Sequence, residues 1–118
     1  MEDRYEILIR LQKATGAWHV EALSTSGVVS VPFEKVLAAI PRPLSETTAG
    51  TSGIVWGTAL ALAWLKLHCG AMADEWELIA QKANRLLSKM VASLGGEARM
   101  TANSLLDAAR SFLIEHKQ

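Results

Sequence analysis

The chain holds one cysteine, Cys69, so no disulfide can close within it. A lone cysteine in an apolar stretch suits a reducing compartment, and a cytoplasmic setting is expected. Lysine and arginine are not clustered, and 12 basic side chains are balanced by 12 acidic ones. The electropositive footprint of a nucleic-acid or anionic-membrane binder is therefore missing. A long hydrophobic span is missing too. Thr47 to Leu65 carries no formal charge, but its first third is the polar TTAGTSG and the apolar part runs only from Ile54 to Leu65. That is the length of a core helix, short of the roughly 20 residues a bilayer demands. Met1 is followed at once by Glu2, Asp3 and Arg4, which is neither a signal nor a transit peptide and reads as an excised module with a start Met.

What is present is helical pattern. Half of the 118 residues are apolar, enough for one domain over residues 1–118 to bury a core without metals or disulfides. Tyr5, Ile7, Leu8 and Leu11 lie at helical spacing in DRYEILIRLQK, and Thr15-Gly16 ends that helix. Trp18 then follows directly, placed to fold back over the first helix or plug the core at a turn. HVEALSTSG gives thin evidence for two further helical turns. Val28 to Val31 is β-branched, yet no second strand exists to pair with it, and an isolated strand is unstable in water. Ser30 is the expected cap of PFEKVLAAI, which PRP terminates.

From Leu44 to Gly53 the residues are small and polar, and a flexible connection is expected, with Ser52 capping the next helix. In that helix Ile54, Val55, Trp56, Leu60, Leu62, Trp64, Leu65 and Leu67 cover most of the wheel, the mark of a central helix surrounded by others. Gly70 is the expected left-handed stop, and Asp74 with Glu77 has the form of a capping box. Trp76, Ile79, Ala80, Ala83, Leu86, Leu87 and Met90 then recur on one face. A last helix from about Thr101 presents Leu105, Leu106, Ala109, Phe112 and Leu113. The expected fold is all-α, a compact bundle of four to five helices, the last three antiparallel neighbours because their loops are short.

Catalytic constellations are absent. His68 and Cys69 are adjacent, so on a helix their side chains diverge by roughly 100° and do not readily chelate one ion. No CxxC, HExxH or His-x3-His occurs, and neither GxSG nor GG has the strand and GK[ST] of a phosphate loop. No cofactor and no metal are expected, and Cys69 is read as packed rather than reactive. Trp56, Trp64 and Trp76 fall on apolar faces and belong to the core before they belong to an interface. The residues with least scaffold role are Val28, Val29, Arg42 and the 44–53 connection, and these are the candidates for partner binding.

Three blocks carry a family resemblance: Gln12, Gly16 and Trp18 as Q-x-x-x-G-x-W; Trp56 to Leu65 as W-x-T-x-L-A-x-x-W-L; and Glu75 to Ala83 as E-W-E-L-x-x-x-K-A. The chain resembles the C-terminal domain of proteins that carry a vault inter-α-trypsin (VIT) domain and a von Willebrand factor A domain. It is similar, more distantly, to the tail by which vault poly(ADP-ribose) polymerase engages major vault protein. Between Trp18 and Gly27 the chain departs from the family pattern, where the usual L-x-x-x-L-G helix is shortened. The Asp-x-Ser-x-Ser metal-adhesion motif and any ADP-ribosyltransferase signature are missing. The resemblance implies a non-catalytic interaction or tethering module, with major vault protein as its partner. The alternatives are intramolecular packing against the parent chain's other domains, or a small cysteine-dependent enzyme using Cys69 and a histidine.

Overall fold

A computed structural model describes residues 4–12, 16–29, 31–40, 49–93 and 102–116. In chain order these form α1 (Arg4–Leu11), α2 (Val20–Thr25), α3 (Phe33–Ala38), α4 (Ala49–His68), a 3-10 turn (Gly70–Met72), α5 (Ala73–Ser93) and α6 (Ala102–Glu115). The fold is all-α, with no strand among the described residues. Six α-helices stand among the described residues where four to five were expected, because the thinly patterned segment after Trp18 also folds as a helix.

The weakly patterned α2 owes its start to a side chain. His19 sits at the cap in extended conformation, and the Glu21 backbone N–H donates to its Nδ1 at 3.2 Å. Val20 and Leu23 are then buried against α4. Ser30 lies outside the described residues, and the residue at the cap of α3 is Pro32.

α4 is the central element, packed against α2, α5 and α6. From Val55 to Leu65 every residue is buried, as an apolar wheel requires. The helix begins at Ala49, three residues before the expected Ser52 cap, so residues 49–53 of the expected connection are helical and residues 44–48 lie outside the described set. Glycine's helix penalty of about 1 kcal/mol made a loop the natural reading of AGTSG. Tertiary contact overrides it: a methyl at Gly53 would sit 3.2 Å from His19 Nε2. At Gly57 the approach is closer still, with the α4 backbone seated on the Trp18 carbonyl and the Val20 amide. Beside it the buried Thr58 hydroxyl accepts from the Trp18 N–H at 3.2 Å and donates to the Ile54 carbonyl at 2.7 Å.

The tryptophans are core residues, and three of them brace joints. Trp18 donates to the Leu8 carbonyl at 2.7 Å, so it does fold back over α1. Trp56 donates to the Val36 carbonyl at 3.1 Å and sets its ring edge-on to Phe112 at 6.2 Å, joining α3, α4 and α6. Trp76 donates to the Cys69 carbonyl at 2.7 Å.

That last bond sits at the corner where α4 meets α5. The two helices turn through 93° there, which corrects the expectation that this pair is antiparallel. The connector is too short for a reversal: Cys69 leaves the helical region (φ −123°, ψ 23°) and the 3-10 turn leads straight into α5. Gly70 is therefore not a left-handed stop, and α5 starts at Ala73 with Asp74 and Glu75 inside its first turn. The capping box is not formed at the expected cap, although carboxylates in that turn still suit the helix dipole. No single helix among the described residues is long and apolar enough to cross a membrane.

Candidate interaction surface

The residues with chemical potential are dispersed. His19 caps α2, His68 stacks on Trp64 at 4.9 Å and His116 on Phe112 at 4.5 Å. Cys69 is 4% exposed, sheltered at the corner between α4 and α5. Among the described residues no group of three or more His, Cys, Asp or Glu could hold a metal ion.

Of the sequence-based binding candidates, Val28 and Val29 are core residues. Val28 and Val29 are 0 and 1% exposed, so neither side chain is available to a partner. Gly27 supplies the reason: at φ 82° it reverses the chain after α2, and the Val29 N–H donates to the Leu23 carbonyl at 3.2 Å. Both valines are thereby folded into the core. Arg42 lies outside the described residues.

Among the described residues, surface relief includes two grooves between helices. The larger, of about 490 Å³, runs between α1 and α5, with Tyr5, Ile9 and Ile79 along it and Glu6, Arg10 and Glu75 around them. Burial, followed by the nearby Glu75 carboxylate and then Cys69, raises the Tyr5 hydroxyl above its ordinary value of 10.0. Beside the groove, Leu78 is 79% exposed. The smaller groove, of about 220 Å³, lies between α4 and α6, where Ala63, Leu67 and Leu106 are bordered by Lys66, Asp107 and Arg110. Neither groove was predicted from the sequence. The available signal was Leu78, an apolar residue set among Asp74, Glu75, Glu77, Gln81 and Lys82, on the side of α5 opposite its core residues.

These observations define an all-α fold with inter-helix grooves, in which Cys69 is buried and the histidines cap or pack. Over 106 residues, 90% of this chain, it is 30% identical to human von Willebrand factor A domain-containing protein 5A and 32% identical to the mouse protein. Over 74 residues, 63% of the chain, it is 35% identical to human von Willebrand factor A domain-containing protein 5B1. The chain is thus a distant homologue of these proteins. It spans 12% of the length of the first two and 5% of the third. No family model matches the chain, and no solved structure matches it.

Proposed function

We propose that this chain is a non-catalytic protein-interaction module of a larger, cytoplasmic von Willebrand factor A domain-containing protein. The observation that carries the proposal is the pairing of 90% coverage of this chain with 12% coverage of its relatives. A domain-sized piece of a much longer polypeptide is suited to tethering that polypeptide to something else. Support also comes from Cys69 and the three histidines, each of which has a packing or capping role. The specific reading is docking on major vault protein, which would place the parent protein in the vault particle. The alternative is docking on other domains of the parent chain.

The test is retention of the domain on purified major vault protein, and separately on the rest of a parent-type chain. Trp56→Ala serves as the unfolded control, with circular dichroism to confirm helix in the native chain. Saturable retention of only the folded form on the vault protein supports tethering. Retention only on the parent chain moves the role to intramolecular packing, and retention on neither defeats the proposal. Leu78→Asp and Arg110→Glu then report which groove is used.

A further inference from the structure

The α1–α5 face carries its charges in order along its length. The two helices run in the same direction: Tyr5 lies beside Glu75, the Gln12 amide donates to the Ile79 carbonyl at 3.5 Å, and Gly16 seats against Lys82. Glu6 and Glu75 therefore mark one end of the face, and Lys82 the other. Leu78 stands between Glu75 and Lys82, about one helical turn from each. It is 79% exposed, next to the open groove that contains Ile9 and Ile79.

We propose that this face pairs with the same face of a second copy of the chain, about a twofold axis near Leu78. A twofold contact brings the same patch together from both copies, so the patch has to be self-complementary. This one is complementary in charge. Reversal about the axis lays the acidic end of one copy on the basic end of the other, with Glu75 facing the second copy's cationic end. It also brings each exposed leucine to the other copy's groove. A segment of uniform charge would meet a like charge at one end of the face, whereas a second copy meets opposite charge at both. α1 is only 8 residues long, about 12 Å, which limits the contact area. The contact belongs with small, reversible interfaces, and the dimer dissociates on dilution.

The inference goes beyond the proposed tethering role and is tested without any other protein. Sedimentation equilibrium of the whole chain at low salt is expected to show a concentration-dependent monomer–dimer transition that salt weakens. Leu78→Asp, an exposed change that leaves helix content unaltered, should weaken association by on the order of tenfold or more. Glu75→Lys and Lys82→Glu should each abolish self-association alone, yet form a heterodimer when mixed. Their combination in one chain should restore the homodimer. A chain that stays monomeric at all concentrations overturns the inference. So does a dimer indifferent to Leu78→Asp, or single charge variants that fail to pair on mixing.

Discussion

The Trp18 indole N–H donates to the Leu8 carbonyl across 2.7 Å, and that bond closes the turn after α1 over the end of its own helix. Leu8 is the first of the last four residues of α1, whose carbonyls need partners from outside the helix. Trp18→Phe removes the donor at a site with no exposure. The expected loss is about 1–3 kcal/mol for the orphaned carbonyl, with a further cost for the volume vacated. Urea unfolding followed by circular dichroism measures it, and an unchanged midpoint would show that the bond contributes nothing.

Gly57 and Gly70 separate two roles for glycine in one chain. A Cβ at Gly57 would lie 2.5 Å from the Val20 amide nitrogen and 2.8 Å from the His19 carbonyl carbon, both main-chain atoms that cannot swing aside. Gly57→Ala is therefore expected to destabilise by about 3 kcal/mol or more through overpacking. A Cβ at Gly70 would meet nothing within 4 Å. Gly70→Ala should change stability by no more than about 0.5 kcal/mol. Equal effects at the two sites would refute the close α2–α4 approach.

Two buried tryptophans differ in one atom's fate. Trp56 Nε1 donates to the Val36 carbonyl at 3.1 Å, whereas Trp64 Nε1 is buried with no acceptor among the described residues, in a side chain only 5% exposed. Truncation to Phe removes similar volume from both, but at Trp64 it also removes an unsatisfied donor costing about 1–3 kcal/mol. Thermal unfolding should therefore show Trp56→Phe to be the more destabilising by at least about 1 kcal/mol. The reverse order would mean that the Trp64 indole has found a partner.

Tyr5 is the sole tyrosine, so alkaline titration of tyrosinate absorbance reports on it alone. The folded-state value is expected above 10.0, because burial first and Glu75 second disfavour the phenolate. By linkage, the fold's preference for the neutral hydroxyl contributes stability that is complete below the unfolded value of 10.0 and lost as pH rises through the raised folded value. Tyr5→Phe should flatten this alkaline loss. Glu75→Gln should lower the titration midpoint only part of the way to 10.0, since burial is the larger cause. A midpoint at or below 10.0 in the folded chain would contradict the groove geometry.

Periodicity by itself determined the helical class, the central place of the run from Val55 to Leu65, and the core faces of α5 and α6. Those are properties of one segment at a time, because a side chain's place on a helical wheel depends only on its neighbours along the chain. The Q-x-x-x-G-x-W block likewise exposed the turn that Trp18 closes. Tertiary structure alone decided the rest. Val28 and Val29 looked available because no periodic helix claims them, yet the reversal at Gly27 delivers both to the core. The right angle at Cys69 and the Trp18–Thr58 bond depend on residues brought together by folding, up to 40 positions apart in the latter pair. The α1–α5 groove exists only because helices separated by more than sixty residues lie side by side. Local spacing carries no record of such pairings, since what selects them is the shape two finished surfaces present to each other.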